Sequence, residues 1–418
     1  MTPVVAVLAT VDTKAAETAF LRDELSARGC RVRVIDVGLH PGRAGIQDQD
    51  VASAEVAAAG GGEVGELRRN TRRDHAMATM AAGAGAILRG WLKDGQLDAV
   101  LGIGGNQGTA IASAAMRELA FGVPKYIVST VASGNVRGYV GDSDIVFAFS
   151  VGDLAGGPNV VTGSILRQAA AAVAAMATVP RPVSATTRSR VAITAFGNTQ
   201  VAVDEAIGRL EDAGVDVVPF HASGASGSAM ERFIAAGWFD GVLDMTTHEV
   251  LAELYPDDIY APVRPGRLTA AGALGLPQVV VPGGLEYFCF AAADTIPSAL
   301  RERPTHYHNP NNTNVRSSAA ELEAVAATMA ERLNASHGPV SVLIPNQGWS
   351  GVGSPGGPLH DLETNSAFVR ELKRLVTDRV TVRELPMAIN DDGFGQTAAD
   401  ELLSLIHVKT QTKSEVIS

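Results

Sequence analysis

Short apolar runs rich in β-branched residues alternate with helical patterns along this chain, and the first 38 residues show the arrangement. The runs "VVAVLAT" and "RVRVIDVG" read as strands, and between them Ala16, Phe20 and Leu25 recur at helical spacing. Gly29 ends that helix. "LDAVLGIGG" reads as a further buried strand, "TAIASAAMRELA" as the next helix and "VPKYIVST" as another strand. Strands that alternate with helices predict parallel pairing in a sheet covered on both faces.

A stretch without periodicity, "VPRPVSATTRSR" at residues 179–190, has the proline, serine and threonine content of an interdomain linker. After it, from "VAITAF" onward, the chain repeats the strand, loop, helix and strand order with which it began. The sequence therefore predicts an N-terminal α/β domain at 1–180 and a C-terminal α/β domain at 191–418. Both are predicted to be doubly wound, Rossmann-like parallel sheets with a ligand cleft between them, at the carboxyl ends of their strands.

The second half is predicted to extend beyond this repeat. Ser228 with Glu231, and later Ser318 with Glu321, have capping-box spacing, so each pair is predicted to open a helix. A helix over "AFVRELKRLV" and a strand over "VTVREL" are predicted as the last two elements, followed by a polar, frayed tail.

Composition and charge exclude some classes of protein. With 418 residues, 46% of them hydrophobic and 19% charged, the chain can bury large cores. A net charge of −11 argues against a nucleic-acid partner, because a phosphate backbone needs a concentrated basic surface. The densest basic run lies between Arg68 and Arg73, and it is short. A solvated helix entry is the favoured interpretation of this run, and an arginine that reaches a phosphate is the alternative.

Cysteine usage and hydropathy bear on the compartment. Cys30 and Cys289 lie far apart in the sequence, so neither a disulfide framework nor a thiolate metal site is predicted. No apolar run approaches the ~20 residues of a membrane helix, and the N-terminus lacks a signal-peptide pattern. We therefore expect a cytoplasmic protein that is soluble and has no membrane partner.

The stretch "GIGGNQGTA", residues 102–110, joins a predicted strand to a predicted helix. It is not a dinucleotide fingerprint, because Gly102, Gly104 and Gly108 are spaced one residue too widely. It is not a P-loop either, since no lysine follows Gly108. What remains is a run of backbone amides at a helix N-terminus, with Thr109 as the predicted cap, and such a run favours anions. At this point phosphate binding and a plain structural turn are equally supported.

Two further loops are predicted at the same edge of the sheet. In "ATVDTK", Asp12 can accept a hydroxyl or hold Mg²⁺ indirectly, and Lys14 can meet a phosphate. Taken by itself, this loop favours the other interpretation, in which Asp12 or Thr13 only caps the following helix. The loop after residue 129 offers more small polar groups, namely Thr130, Ser133, Gly134 and Asn135. Convergence of three loops favours a binding site over three separate structural turns.

Polar clusters in the second half, at predicted loop positions, supply acid and base groups. Candidates for general acid–base catalysis are His248, Glu249, Glu286, His308, His360 and Asp361. Each of them can instead be a loop residue that only makes hydrogen bonds. His306 and His308 flank one tyrosine, which on a strand places both on one face, as in some metal sites. No third ligand follows from the spacing, so zinc is not predicted and no metal ligand is assigned.

The motifs "ATVDTKAAE", "GIGGNQGTA", "FHASGASGSAME", "TTHEV" and "GGPLHD" occur in order along nearly the whole chain. They resemble the Tm-one-like ATP-binding domain family, bacterial proteins related to the N-terminal domain of the tomato mosaic virus resistance protein. The resemblance implies two α/β subdomains, binding of ATP with Mg²⁺, and a homodimer. It also implies which residues lie at or near the nucleotide, namely Asp12, Lys14, Gly104, Gly105, Gly108 and Thr109. The predicted cofactor-binding set is completed by neighbouring loop residues, Thr10, Thr13, Asn106, Thr130, Ser133 and Gly134.

One departure from the family pattern affects this expectation. The pattern reads glycine, glycine, serine, glycine, glycine, threonine at the turn, whereas this chain has Asn106 and Gln107. A side chain at position 107 is expected to restrict a backbone that glycine leaves free and to crowd the phosphates. The choice of nucleotide therefore stays open.

Three functions fit the sequence. The leading hypothesis is an ATP-dependent enzyme, of ligase or transferase type, that acts on a small carboxylate or carbonyl metabolite in the cleft. The second is a nucleotide-binding regulatory or partner-binding protein without catalysis. The third is a small-molecule hydrolase or lyase that does not use ATP.

Overall fold

The computed structural model describes residues 2–40, 50–69, 72–182 and 188–417, with side chains described as far as residue 407. The chain divides into two compact units, Met1–Pro182 and Val183–Ser418. We call them the N-unit and the C-unit. Each contains hydrophobic cores made of its own residues.

The N-unit contains a parallel sheet of five strands: β1 (Val4–Ala9), β2 (Arg31–Asp36), β3 (Ala99–Gly104), β4 (Lys125–Ser129) and β5 (Ile145–Phe149). Their order across the sheet is β2-β1-β3-β4-β5. β1 and β3 are buried along nearly their whole length, because helices cover both faces of the sheet. The chain adds β2 on one side of β1 and β3 on the other, so the order of strands reverses between β1 and β3.

Helices of the N-unit pack on both faces of this sheet. They are α1 (Val11–Ser26), α2 (Ser53–Ala59), α3 (Val64–Arg69), α4 (Arg73–Lys93), α5 (Asn106–Arg117), α6 (Arg137–Val140) and α7 (Thr162–Met176). Met80 of α4 and Ile111 of α5 share a core with Leu8 of β1. Leu21 of α1 packs with Val7 in a second core. Adjacent β1 residues thus enter different cores, as the two-residue period of a strand requires.

The C-unit repeats this topology and adds a strand. Its parallel strands are β6 (Arg190–Ala195), β7 (Asp216–His221), β8 (Gly241–Thr246), β9 (Gln278–Gly283), β13 (Val340–Pro345) and β14 (Val380–Leu385), with β10 (Tyr287–Phe290), β11 (Thr305–Asn309) and β12 (Asn312–Arg316) between β9 and β13 in the chain. The parallel order is β7-β6-β8-β9-β13-β14, whose first five strands match the order in the N-unit. The predicted fold class, two doubly wound α/β sheets, is confirmed.

Helices of the C-unit cover its large sheet. They are α8 (Gln200–Asp212), α9 (Ala225–Ala235), α10 (His248–Ala252), α11 (Ala270–Ala273), α12 (Ala319–Asn334), α13 (Leu362–Leu375) and α14 (Phe394–Ile417). The predicted capping box of α12 is present, because the Ser318 hydroxyl accepts from the Glu321 N–H and the Glu321 carboxylate accepts from the Ser318 N–H at 2.8 Å. Along the described residues, no helix is both long and apolar enough to cross a bilayer.

A small antiparallel sheet stands where the sequence predicted only polar loops. Its order is β10-β12-β11, with Cys289 opposite Asn314 and Tyr307 opposite Thr313. The polar cluster "HYHNPNNTNVR" at residues 306–316 was predicted to be a loop, and this was wrong, because β11 and β12 carry asparagine and histidine at positions where a strand usually carries β-branched residues. β12 is nevertheless buried, since it pairs with both neighbours.

Two helix predictions also differ from the structure. α9 begins at Ala225, so Ser228 is not its cap; the hydroxyl of Ser228 lies inside the helix and donates to the Gly224 carbonyl at 2.7 Å. α14 follows the strand that was predicted to be the last element, and it runs through the tail that was predicted to be frayed. Its apolar residues Phe394, Ala398 and Leu402 stand at helical spacing and join the core beside β8.

Candidate functional site

A cavity of about 640 Å³, which we call the N-pocket, opens at the carboxyl ends of β1 and β3. This is where the strand order reverses, and doubly wound sheets bind ligands at such points. The loop that enters α1, the start of α5 and the adjacent parts of α3 and α4 line it. The predicted cofactor-binding residues among its lining are Thr10, Asp12, Thr13, Lys14, Gly105, Asn106 and Gly108.

The start of α5 presents backbone amides to the N-pocket. Gly105 is the cap, and the first intrahelical bond runs from the Thr109 N–H to the Gly105 carbonyl at 2.9 Å. The N–H groups of the three residues between them lie in the first turn, where a helix offers no acceptor. Thr109 was predicted to be the cap, and that was wrong. It is buried, and its hydroxyl hydrogen-bonds the Ser129 hydroxyl at 2.6 Å, which ties α5 to β4.

The glycines of this turn serve close packing as well as exposure. A Cβ on Gly104 would lie 2.8 Å from the Gly108 Cα, so the strand and the helix touch through their backbones. A Cβ on Gly105 would meet only the Thr130 hydroxyl oxygen, at 3.5 Å. Gln107 lies within α5, whose backbone is helical, so its side chain imposes no conformational restriction there. The expected backbone penalty of the family departure is therefore absent.

The loop that enters α1 is tied to the segment after β2 through Asp12. Its Oδ2 accepts from the His40 N–H at 3.1 Å, while its Oδ1 is buried without a hydrogen-bond partner. Thr10, the cap position of α1, bonds the Thr13 hydroxyl at 3.0 Å. Lys14 interrupts the helix with φ −124° and ψ 26°. Neither Asp12 nor Thr13 makes a capping bond to α1, which leaves the Asp12 carboxylate for another partner.

Cationic side chains collect in the N-pocket. Lys14, Arg68, Arg69 and Arg73 line it, against the single carboxylate of Asp12. The Arg68 Nε donates to the Leu39 carbonyl, which fixes that guanidinium beside the cavity. Arg68, Arg69 and Arg73 thus line the pocket while they stay exposed, which agrees with the favoured interpretation of a solvated helix entry; the alternative, an arginine that reaches a phosphate, stays a prediction.

The loop after β4 contributes less than predicted. The Thr130 N–H donates to the Gly104 carbonyl at 3.2 Å, so this residue adjoins the turn. Ser133 and Gly134 are exposed and are not among the residues that line the N-pocket. Two of the three predicted loops therefore meet at this cavity, together with a basic segment whose contribution the sequence left open.

In the C-unit, Glu249 belongs to a buried ion network rather than to a cavity. Its Oε2 accepts from the Arg267 Nε at 2.5 Å, and its Oε1 accepts from the Gly224 N–H at 2.5 Å. Arg267, which is fully buried, also donates to Glu231 at 2.7 Å and to Asp244 at 2.6 Å. Every guanidinium nitrogen of Arg267 thus has a carboxylate partner, as a buried charge requires. The arrangement supports a structural role for Glu249.

His248 is also fully buried, and both of its ring nitrogens face acceptors. Nδ1 lies 2.9 Å from the Gly284 carbonyl oxygen and Nε2 lies 3.4 Å from the Asp258 carboxylate. Burial lowers the pKa of His248, but the charge of Asp258 and the contact with Cys289 more than offset this and hold the pKa well above its usual value. Acceptors that face both ring nitrogens favour the imidazolium form of His248, which pairs with Asp258.

The carboxylates of Glu286 and Asp361 each accept a hydrogen bond from the backbone N–H of another residue. Glu286 is fully buried, its Oε1 accepts from the Trp349 N–H at 2.8 Å, and burial raises its pKa. Asp361 caps α13 by accepting from the Thr364 N–H at 3.0 Å. His360 is exposed beside it. For Glu286 and Asp361 these geometries favour the alternative interpretation, in which the carboxylates only hold a long loop by hydrogen bonds.

A second cavity of about 190 Å³, the C-pocket, lies at the carboxyl ends of β6 and β7. Of the six acid–base candidates only His308 lines it, while His248 stands directly behind, with its ring centroid 5.8 Å from that of Tyr287. Residues that the sequence did not single out make up most of its lining, such as Asn198, His221, Tyr287, Cys289 and Asn314.

The signal that could have found the C-pocket is a two-residue alternation. Tyr287 and Cys289 on β10, and Asn312 and Asn314 on β12, each stand two positions apart and therefore share one face of the small sheet.

His306 and His308 on β11 have ring centroids 6.2 Å apart. In the part of the chain that the structure describes, no group of three or more His, Cys, Asp or Glu side chains is placed to hold a metal ion.

Comparison with solved structures gives little. The glycosyltransferase SnogD from Streptomyces nogalater aligns over 97% of this chain and 100% of that chain at 13% identity, with a TM-score of 0.18. A TM-score this low supports no conclusion about fold or function.

Proteins related in sequence are much more similar to this chain than that solved structure is. A UPF0261 protein of Clostridium tetani is 36% identical over 96% of this chain and 98% of its own length. The ToMV resistance protein Tm-1 of Solanum lycopersicum is 36% identical over 74% of this chain, which corresponds to 42% of the tomato protein. The family resemblance inferred from the motifs is confirmed.

Family models match both units of the chain. The model described as the UPF0261 N-terminal domain matches residues 3–182, and the model of the UPF0261 C-terminal domain matches residues 188–406. Together they span nearly all of the described residues. The chain therefore belongs to the uncharacterised protein family UPF0261.

Proposed function

We propose that the N-unit binds ATP with Mg²⁺ in the N-pocket and that the protein is an ATP-dependent enzyme acting on a small carboxylate or carbonyl metabolite. One observation carries the nucleotide part. Lys14, Arg68, Arg69 and Arg73 converge with the open amides of α5 on one cavity. The volume of about 640 Å³ lies within the ~300–1,000 Å³ of small-molecule sites.

The lining of the N-pocket matches the chemistry of a polyphosphate. The N-terminus of α5 carries partial positive charge and unpaired N–H donors, which favour an anion. Arginine presents a planar fork of donors that fits phosphate oxygens in pairs. Val37, Leu39 and Met77 also line the cavity and supply the apolar surface on which a base can lie.

Asp12 fits the needs of a magnesium ion that arrives with phosphates. Magnesium is usually held by one or two carboxylates, substrate phosphates and waters, and not by an all-protein cage. The Oδ1 of Asp12 is buried and has no partner, which marks it as the oxygen that would meet the ion or its water. The homodimer implied by the family resemblance belongs to the same proposal, and light scattering on the purified chain measures it.

Binding is tested by calorimetry with ATP and Mg²⁺ on the whole chain and on two alanine variants. Arg73→Ala removes one charge from the lining of the N-pocket. Arg31→Ala removes an exposed charge at the amino end of β2, whereas the N-pocket lies at the carboxyl ends of the strands. A hydrogen bond between charged groups contributes about 1.5–3 kcal/mol, so we expect Arg73→Ala to raise the Kd for ATP roughly 10- to 100-fold. Arg31→Ala should leave it unchanged. Equal Kd values for the two variants would place the phosphates elsewhere.

The catalytic part is tested by release of ADP or AMP in the presence of a panel of small acids and carbonyl compounds. Turnover with one of them supports the enzyme. ATP binding without turnover supports the regulatory alternative, which also agrees with the tomato relative being named for virus resistance. No ATP binding at millimolar concentration supports an ATP-independent hydrolase or lyase.

A further inference from the structure

We propose that the C-pocket is a second binding site, which takes a small uncharged molecule bearing a hydroxyl or amide donor beside an oxygen acceptor. This site is independent of nucleotide binding in the N-unit. It lies outside the carboxyl ends of β6 and β7, the side of an open α/β sheet on which ligands bind, and the antiparallel sheet forms its other wall. Its volume of about 190 Å³ suits a metabolite of a few heavy atoms rather than a nucleotide.

The side-chain amide of Asn314, in the lining of the C-pocket, has an acceptor without a hydrogen-bond partner. Asn314 is 2% exposed, and its Nδ2 donates to the Cys289 Sγ and to the Asn312 Oδ1, each at 3.2 Å. Its Oδ1 is buried with no hydrogen-bond partner. An unsatisfied buried acceptor costs about 1–3 kcal/mol, which a donor on a ligand removes.

Tyr287 supplies the complementary group. It is 1% exposed, and its hydroxyl oxygen accepts from the Asn198 Nδ2 at 3.0 Å. The hydroxyl proton is then the donor that this pair leaves for a ligand acceptor. The Asn314 Oδ1 can accept a hydrogen bond from a ligand and the Tyr287 hydroxyl can donate one. The two groups together therefore fit a ligand that has both a donor and an acceptor.

The lining of the C-pocket favours a neutral ligand over an ion, and its imidazoles are those of His221 and the exposed His308. The residues that line the C-pocket, all of them described, include no Lys, Arg, Asp or Glu. Burial lowers the pKa of His221, partly opposed by the charge of Glu249, so this ring is neutral near pH 7. Behind the wall, the charges of His248 and Asp258 cancel. A carboxylate or ammonium group would lose its hydration here without gaining a counter-ion, whereas a neutral group would not.

Cys289 provides a built-in reporter for this selectivity, because its side chain lines the C-pocket and the chain has only one other cysteine, Cys30. Iodoacetamide and iodoacetate alkylate a thiol by the same step, in which an S–C bond forms and iodide leaves, and they differ by a neutral amide against a carboxylate. Peptide mass spectrometry separates the two cysteines, so the whole wild-type chain is used. The rate ratio of the two reagents at Cys289 in the native protein is divided by the ratio in the guanidinium-unfolded chain.

We expect the ratio to favour iodoacetamide at least tenfold more in the native protein than in the unfolded chain. Acetamide as a competitor should slow native labelling at Cys289 at least twofold, while equimolar acetate should not. Asn314→Ala should abolish protection by acetamide, and Asn311→Ala, which alters an exposed residue of the same hairpin, should preserve it. An unchanged ratio, absence of native labelling by both reagents, or equal protection by acetate would overturn the proposal.

Discussion

At the scale of single side chains, burial distinguishes the residues of the C-unit that have a structural role from those that can take part in a function. Glu249 and His308 were both candidates for acid–base catalysis, yet one is fully buried against Arg267 and the other is exposed at the C-pocket. Residue type and spacing cannot distinguish them, because burial and partners depend on Arg267, which lies 18 residues from Glu249 in the sequence.

Substitution of Glu249 tests this distinction. Glu249→Gln replaces one carboxylate oxygen by an amide NH₂, which cannot accept from the Arg267 Nε or from the Gly224 N–H, and leaving a buried donor unpaired costs about 1–3 kcal/mol. We expect the free energy of unfolding in denaturant to fall by that amount. His308→Ala should change it by less than about 0.5 kcal/mol, since the residue is exposed. Similar stabilities for the two variants would contradict a structural role for Glu249.

The His248–Asp258 pair predicts a specific pH dependence. The pKa of His248 is raised in the folded protein, so its stabilisation is complete below the unfolded value near 6.5 and declines as pH rises above it, by up to about 1.4 kcal/mol per pH unit. Asp258→Asn should remove this decline and lower stability by about 3–5 kcal/mol at pH 6. Asp257→Asn, which changes the exposed neighbour, should retain the wild-type profile. Denaturant unfolding between pH 6 and 9 measures both, and a wild-type profile in Asp258→Asn would refute the ion pair.

At the scale of elements, the glycines of the β3–α5 turn serve two purposes, close packing of the strand on the helix and open space at the N-pocket. In the sequence both kinds of glycine belong to one glycine-rich stretch. Gly104 lies where the strand and the helix touch, whereas Gly105 borders open space at the N-pocket. The string predicts a tight junction correctly. It does not assign each glycine, since the assignment depends on which backbone atoms lie opposite, and it led to Thr109 as a cap although the helix begins earlier.

Alanine at each glycine separates the two roles. Gly104→Ala places a Cβ 2.8 Å from the Gly108 Cα, so we expect a loss of about 1–3 kcal/mol of stability as β3 and α5 move apart. Gly105→Ala has room for its Cβ and a negative φ of −84°, so its stability should stay within about 0.5 kcal/mol of wild type. Thermal unfolding measures both, and a larger loss in Gly105→Ala would show that the open space is needed by the fold itself.

For the whole molecule, the alternation of apolar strands and helices was enough to predict two doubly wound sheets, because the central strands β3, β8, β9 and β13 are buried along their whole length and form continuous apolar runs. The antiparallel sheet escaped prediction, since all three strands are short and two of them, β11 and β12, are polar and pair with each other. That sheet forms one wall of the C-pocket, so the site built on it was missed as well. The N-pocket residues were easier to predict, because they follow directly after buried parallel strands.

The division into two units predicts that the N-unit folds and binds alone. Its two cores contain only residues of the segment 1–182, and so does the lining of the N-pocket. We expect this segment to unfold cooperatively in denaturant and to bind ATP with a Kd within about threefold of that of the whole chain. The same segment with Arg73→Ala serves as the control for specific binding and should bind 10- to 100-fold more weakly, as in the whole chain. A segment that folds cooperatively but does not bind ATP would mean that residues of the C-unit complete the nucleotide site.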